Sequence, residues 1–365
     1  MSTSPDATSH PRPSNCRRWP SLVRLGVSFL AQICLVQIFL LQIFLLQISH
    51  AQTCQTAADI DASARAGLET AAKRYFEMSA HGDAAGLKQS SISSVAASFS
   101  GIEAAVKENQ SAFDAAQATL RPPFVLIVDG PNPLPRAEFL CGVFVVFANG
   151  KSGQTKESAT FVLKNLPPGK YAVAILDVQG GQSAMTLTLV LQQVGPDWRL
   201  AGFYVRPSQA AGHDAGWFTQ HARDFKAKSQ KRDAWLYYRE AIALSSPVDF
   251  MSTLSTDQLY DEAQAMQPSD LPVGGDTADL SVGVKAYHLT EIFPLGVGND
   301  LDVVVKYQAA DVSDAARMFQ ENTSVIKALV AKFPELREAF AGVVARAVDQ
   351  WGRDYGTLLA MKDIK

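Results

Sequence analysis

Between Phe124 and Pro207 the chain is a series of short apolar segments separated by turn-forming residues, and this pattern constrains the fold most. The segments are rich in Val, Phe, Leu and Tyr, and Gly, Pro, Asn and Asp cluster between them. We predict strands over residues 124–128, 138–147, 159–163, 171–178, 185–193 and 198–205. Apolar residues and Thr alternate in 185–189, which indicates a strand with one face in water. An antiparallel sheet is therefore expected.

The preceding segment has the 3.6-residue period of helices. An apolar stripe predicts a first helix that runs to Gly82, and Asp83 can cap a second over residues 84–88. A third helix is expected over residues 102–120, ended by Pro122-Pro123. Helices followed by a long antiparallel sheet predict an α+β domain over residues 52–210.

Two segments of this domain resemble the nuclear transport factor two-like superfamily. One is Tyr75-Phe76 followed by Gly82-Asp83, and the other is the strand at 198–205. The resemblance implies a cone-shaped fold shared by isomerases, dehydratases and non-catalytic binders, whose catalytic members carry an Asp–His or Asp–Tyr pair inside the cone. No matching Asp–His pair is found here. Residues 165–173 also resemble a hairpin of carboxypeptidase-regulatory or collagen-binding-B-type sandwiches, so cone and sandwich both stay open.

Residues 211–266 return to a helical period and resemble a single tetratricopeptide unit. The carrying residues are Phe218, Ala222, Phe225, Ala234, Tyr238, Ala241 and Pro247. Small residues at these positions let two antiparallel helices approach, while aromatic side chains fill the space between them. The hairpin is either a structural element packed on its neighbours or a partner groove supported by Trp217, Trp235 and Tyr237.

A segment rich in Pro and Gly, 267–276, predicts a linker to a small α+β domain over residues 277–365. We expect strands at 284–290 and 301–307, then a long helix with Ser313 as its N-cap. A second helix is predicted from Pro334 to Val348 and a last strand at 355–361. The order is ββαβ.

The N-terminus has the features of a signal peptide, residues 1–51. Four arginines precede an apolar run over residues 25–48, and small residues end it at Ser49 and Ala51. We predict cleavage between Ala51 and Gln52 and a periplasmic or secreted protein. A retained membrane anchor is the alternative, because the apolar run is long. Regularly spaced Gln side chains within the run favour cleavage, since an unpaired amide is costly in hydrocarbon.

Charge and cysteine content narrow the function classes. The leader carries four Arg and one Asp, so its removal takes the formal net charge from −3 to −6. An acidic protein without a basic block is a poor candidate for binding nucleic acid. Two cysteines remain, Cys54 and Cys141. They pair in an oxidising compartment, or Cys141 is a buried free thiol in its apolar run; both interpretations stay open.

For each candidate catalytic, cofactor-binding or metal-binding motif, a purely structural role is favoured. His213, Asp214 and His221 could meet, but a metal site needs further converging ligands. Glu138, Asp177 and Asp249 could serve in acid–base chemistry only if two of them converge. We therefore expect no catalytic residues, no cofactor and no metal. The expected function is an exported, non-catalytic envelope protein that binds other envelope proteins or acts as a scaffold. A small-ligand binder with a cone-type pocket is the alternative, and an enzyme comes third.

Overall fold

The computed structural model describes residues 52–143, 145–146, 152–155 and 157–365. The predicted leader and Ala51 lie outside the described residues, as do part of the strand predicted at 138–147 and its following turn. Helices and strands mix throughout the described residues, so the α+β class is confirmed. No helix within the described ranges is long and apolar enough to cross a membrane.

The N-terminal region, residues 52–210, contains four helices and most of the predicted strands. The helices are α1 (Ala62–Ala80), α2 (Ala84–Gln89), α3 (Ser93–Ala97) and α4 (Ser100–Phe113). The strands are β1 (Gln52–Gln55), β2 (Gln117–Leu120), β3 (Phe124–Val128), β4 (Leu134–Cys141), β5 (Val145–Val146), β6 (Ser152–Gly153), β7 (Ala159–Leu166), β8 (Gly169–Gln179), β9 (Met185–Val194) and β10 (Asp197–Pro207). Asp83 caps α2 as predicted, because its side chain accepts the Gly86 N–H at 2.8 Å.

The strands form two main antiparallel sheets. The large sheet has the order β1-β3-β8-β9-β10, and β2 joins it beside β3 along the same edge of β8. The small sheet contains β4 and β7, and a third strand reaches it from beyond the N-terminal region. The segment at 165–173 therefore carries the chain from one sheet to the other, because β7 and β8 do not pair, and it is not a hairpin.

The large sheet is buried on both faces. One face packs under α1–α4, with Leu68, Tyr75 and Phe113 in the shared core. The other face packs on the small sheet through residues such as Phe139 and Phe161. The prediction of one wet face is therefore wrong, and even the alternating threonines of β9, Thr186 and Thr188, are buried. Three layers result, in the order helices, large sheet, small sheet.

A disulfide joins Cys54 of β1 to Cys141 of β4, and their Cα atoms lie 5.2 Å apart. The free-thiol interpretation is therefore wrong. The bond connects the large sheet to the small sheet, because β1 pairs with β3 and β4 pairs with β7. Buried thiol and buried disulfide cannot be distinguished by the apolar run around Cys141, since both pack as small apolar groups.

The remaining elements follow in chain order. The helices are α5 (Ala215–Ala227), α6 (Lys231–Ser245), α7 (Leu254–Ala265), α8 (Ala315–Lys332) and α9 (Leu336–Ala339). The strands are β11 (Gln209–Ala210), β12 (His213–Asp214), β13 (Met251–Thr253), β14 (Ala278–Val282), β15 (Lys285–Val297), β16 (Asp300–Gln308), β17 (Gly342–Val348) and β18 (Asp354–Ala360). Helices α5 and α6 form the expected hairpin, and β13 is the third strand of the small sheet, paired with β7.

The hairpin and the C-terminal sheet share one hydrophobic core. The Tyr237 hydroxyl of α6 donates to the Ala339 carbonyl oxygen of α9 at 2.6 Å. Arg232, which precedes the predicted linker, forms ion pairs with Asp270 within the linker and with Glu335 beyond it. The boundary predicted at 267–276 therefore does not separate two cores.

The C-terminal sheet has the order β14-β15-β16-β17-β18 and is covered by α8. It has two more strands than the ββαβ prediction. The helix predicted from Pro334 to Val348 is wrong after Ala339, because β17 runs parallel to β16 after the crossover through α8. The N-cap is Asp314 and not Ser313. Its Oδ1 accepts the Arg317 N–H at 3.0 Å.

Candidate functional site

The predicted partner residues on the hairpin do not form an open groove together. Trp235 and Tyr237 are each only 4% exposed and belong to the core shared with the C-terminal sheet. Trp217 is half-buried, and the rings of His213 and His221 stack on it with centroids 3.8 and 3.7 Å away. Two rings cannot share one face at these distances, so they cover opposite faces of the indole. Of the three predicted residues, Trp217 alone offers surface to a partner.

The metal-ligand candidates are held apart by this stack. The indole of Trp217 separates the two imidazoles, and the Asp214 carboxylate caps α5 by accepting the Trp217 N–H at 2.9 Å. Within the described part of the chain, His, Cys, Asp and Glu form no group of three or more that could hold a metal ion.

The three candidate carboxylates do not converge either. Asp177 accepts both N–H groups of a bidentate contact from Arg121, with the shortest distance 2.6 Å. Asp249 pairs with Arg206 at 2.7 Å, and Glu138 pairs with an arginine on its own strand at 3.5 Å. Each carboxylate therefore has a separate structural partner, and no pair of them is positioned for acid–base chemistry.

A different feature offers the clearest binding geometry: a cavity of about 720 Å³ between α1, the end of α4 and β2, here called the edge groove. Its floor is apolar. The floor residues are Phe76, Ala80, Phe113, Ala116, Ala118, Leu120 and Leu176. The volume lies in the range of pockets that bind small molecules or side chains.

The rim of the edge groove is charged and mainly acidic. Glu69, Lys73 and Glu77 of α1 and His81, the residue that caps its C-terminal end, are spaced four residues apart, so they lie along one face of that helix. Asp114 at the end of α4 adds a third carboxylate. An apolar floor beneath an acidic rim favours a ligand that combines an apolar group with a positive charge.

Strand β2 borders the groove and has a free edge, because within the described residues it pairs only with β8. The Arg121 N–H donates to the Ile175 carbonyl of β8 at 2.8 Å. Hydrogen-bonded pairs alternate along an antiparallel ladder, so Thr119 also bonds toward β8. The N–H and C=O groups of Ala118 and Leu120 therefore point away from β8, toward the free edge.

The groove was missed by the sequence analysis because residues 117–120 are part of the helix predicted at 102–120. That prediction is wrong after Phe113: the backbone turns at Ala115, whose φ is +56°, and β2 begins at Gln117. Two signals could have identified the groove. One is the polar–apolar alternation of Gln117-Ala118-Thr119-Leu120, which is typical of a strand. The other is the charged row on α1 with its spacing of four.

Comparison of the chain with protein-family models, with curated proteins and with solved structures found no match.

Proposed function

We propose that the protein is an exported, non-catalytic binding protein that holds an extended segment of a partner protein along β2. The observation that carries the proposal is the free edge of β2 beside an apolar groove. Export rests on the predicted leader, residues 1–51, and the proposed partner is another protein of the cell envelope. The proposal agrees with the separate pairing of the three candidate carboxylates, which leaves no acid–base pair among them.

The free edge supplies the backbone contacts for such a partner. Ala118 and Leu120 each present one donor and one acceptor, which is the pattern that an added antiparallel or parallel strand requires. Each hydrogen bond contributes about 0.5–1.5 kcal/mol net, so the edge alone gives modest affinity.

The groove supplies the affinity and specificity that the backbone lacks. Alternate side chains of an added strand point to the same side, so one of them can enter the groove over Phe76 and Leu176. Burying an aliphatic side chain there is worth about 1.5–3 kcal/mol. Glu69, Glu77 and Asp114 on the rim favour Lys or Arg near that apolar residue. The proposed ligand is therefore an extended peptide in which a basic residue lies two positions from an apolar residue, so that both side chains point to the groove.

The test measures binding of two labelled peptides to the mature protein by fluorescence anisotropy. One has the repeat Leu-Ser-Lys-Ser (the Leu/Lys peptide) and the other the repeat Leu-Ser-Glu-Ser (the Leu/Glu peptide), so that the charged side chains share a face with Leu. The Leu/Lys peptide should bind and the Leu/Glu peptide should not. Ala118→Pro removes an outward N–H without disturbing the pairing to β8, since proline is tolerated at a free strand edge. It should weaken binding about tenfold, a loss of 1.4 kcal/mol.

Charge reversal provides a matched control. Glu77→Lys on the rim should weaken binding of the Leu/Lys peptide, and Glu108→Lys, an exposed acid on α4 outside the groove, should leave it unchanged. Equal binding of both peptides, or no effect of either groove variant, would overturn the proposal.

A small ligand in the same groove is the second candidate, favoured by the volume of about 720 Å³ and by the cone resemblance, which stays a prediction. The two candidates differ at the backbone. Ala118→Pro weakens a peptide that adds to β2 and leaves a small molecule on the apolar floor unaffected.

A further inference from the structure

Two further cavities lie where the helical hairpin meets the small sheet. One, of about 410 Å³, contains Arg206 and Arg239 and is called here the arginine pocket. The other, of about 640 Å³, is the tyrosine cleft, named for Tyr204 and Tyr260. Asp249, Met251 and Tyr260 line both cavities, so the two form one continuous depression.

Among the residues that the structure describes, Arg239 is a cation without an anionic partner. Its Nη1 donates to the Ile292 carbonyl oxygen at 2.7 Å, and its guanidinium carbon lies 4.8 Å from the centroid of the buried Trp235 ring. No carboxylate lies within ion-pair distance of it among the described residues; Glu291 pairs instead with Lys306 at 2.6 Å. A half-buried guanidinium that is fixed by stacking keeps donors free for an anion.

Arg206 adds a second cation that is only loosely neutralised. It donates to the Ser246 carbonyl oxygen at 3.3 Å and pairs with Asp249 at 2.7 Å. The Asp249 side chain is 89% exposed, so it can rotate into water and release the arginine at little cost. The arginine pocket therefore has two positive groups and one displaceable negative group.

The tyrosine cleft continues this pocket with apolar surface. Tyr204 and Tyr260 are 41% and 56% exposed, and Phe250 packs edge-on against Tyr204 with centroids 5.4 Å apart. Met251 lines the junction between the two cavities. Exposed aromatic rings beside a charged pocket are suited to a molecule with a polar head and an apolar body.

We propose that this depression binds a small organic anion, with a carboxylate or phosphate between Arg206 and Arg239 and an apolar body along the tyrosine cleft. The site is separate from the edge groove, which is acidic, and the two are expected to accept ligands of opposite charge. Bidentate contact from guanidinium groups supplies the recognition of the anion. Burial of the apolar body against the aromatic rings of the tyrosine cleft supplies the remaining binding free energy.

The test uses isothermal titration of the mature protein with four probes: decanoate, decyl phosphate, neutral decanol and inorganic phosphate. Decanoate or decyl phosphate should bind at least about tenfold more tightly than decanol or inorganic phosphate, a difference of 1.4 kcal/mol or more. Arg239→Gln should remove about tenfold of that affinity. Arg136→Gln, at an exposed arginine on β4, is the matched control and should have no effect.

Asp249→Asn tests binding without disturbing folding, because Asp249 is exposed. The substitution should strengthen binding of the anion, because it removes the carboxylate that competes for Arg206. A loss of decanoate affinity in this variant would overturn the proposal, as would equal affinity for decanol and decanoate. Vesicles that contain an anionic phospholipid form a further arm. Binding to such vesicles without binding of decanoate or decyl phosphate would show a membrane-surface site and overturn the assignment to a small anion.

Discussion

The N-terminal layers and the C-terminal core differ in the kind of polar side chain that they bury. In the described part of the N-terminal layers the buried polar side chains are hydroxyls: Ser79, Ser91, Ser158, Thr186 and Thr188. The core shared by the hairpin and the C-terminal sheet buries carboxylates as well, namely Asp233, Asp302 and Asp349.

This difference determines which changes should destabilise each region. The N-terminal layers depend on apolar packing and on one covalent cross-link, and neither responds to pH near neutrality. The C-terminal core contains Asp233, which is fully buried, with neither carboxylate oxygen hydrogen-bonded. Its stability should therefore depend on protonation.

The first and largest prediction concerns the cross-link. Replacing both cysteines, Cys54→Ala with Cys141→Ala, should lower the free energy of unfolding of the N-terminal layers by about 4 kcal/mol, because the disulfide closes a long loop in the unfolded chain. Urea unfolding followed by circular dichroism measures the loss. A reducing agent should destabilise the wild type and leave the double variant unchanged. A loss below about 1 kcal/mol would mean that the sheets hold together without the cross-link.

The second prediction concerns packing within the hairpin. Ala234 on α6 is fully buried in the core that also contains Ala222 and Phe225 of α5. Ala234→Leu should overpack this contact and cost about 1–3 kcal/mol. The same substitution at the exposed Ala227 should stay within about 0.5 kcal/mol. Thermal melts of both variants measure the difference, and equal melting temperatures would contradict the packing described above.

The third prediction concerns Asp233. The pKa of this carboxyl is raised from 3.8 to about 7, mainly by burial and also by the nearby Glu335 and Glu338, against a lowering effect of Arg232. Because the folded state holds the proton more tightly, stability should fall as pH rises from about 4 to about 7 and stay low above that range. Asp233→Asn should flatten this slope and stabilise the protein by about 1–2 kcal/mol at pH 8.

Unfolding at pH 5 and pH 8 measures the effect. Asp224→Asn, at an exposed acid in the same hairpin, is the control and should leave the slope unchanged. Burial also raises the pKa of Glu240 to about 7, so Glu240→Gln is needed to divide the slope between the two acids. If stability still fell with rising pH in both variants, the pH dependence would come from groups other than Asp233 and Glu240.

Local patterns predicted most of the fold. The strand expected at 124–128 has those bounds, and the strands at 171–178, 185–193 and 198–205 differ from prediction by no more than two residues at either end. In these segments the two-residue period of apolar side chains and the flanking turn residues predict the same strand bounds. The wrong predictions concern segments whose secondary structure is determined by strand pairing in the fold. Residues 117–120 and 342–348 are strands because β8 and β16 lie beside them.

The candidate sites were less accessible to sequence analysis. Trp235 and Tyr237 are aromatic residues of the kind found at binding surfaces, but they are buried in the core that the hairpin shares with the C-terminal sheet. Gln230 looks like a solvent-exposed residue between helices, yet its Oε1 is buried and its Nε2 donates to Glu338 at 2.7 Å. The free edge of β2 depends on which strands pair, and no local pattern contains that information.

Backbone amide exchange at β2 tests the central claim most directly. It is measured by NMR with and without the Leu/Lys peptide. Without peptide, Ala118 and Leu120 should exchange fast and Thr119 slowly, because, of these three residues, only Thr119 bonds toward β8. With peptide, Ala118 and Leu120 should slow by at least about tenfold while Thr119 stays unchanged. Slow exchange at Ala118 and Leu120 in the free protein, or no slowing with peptide bound, would contradict the proposal that β2 is an open edge for a partner strand.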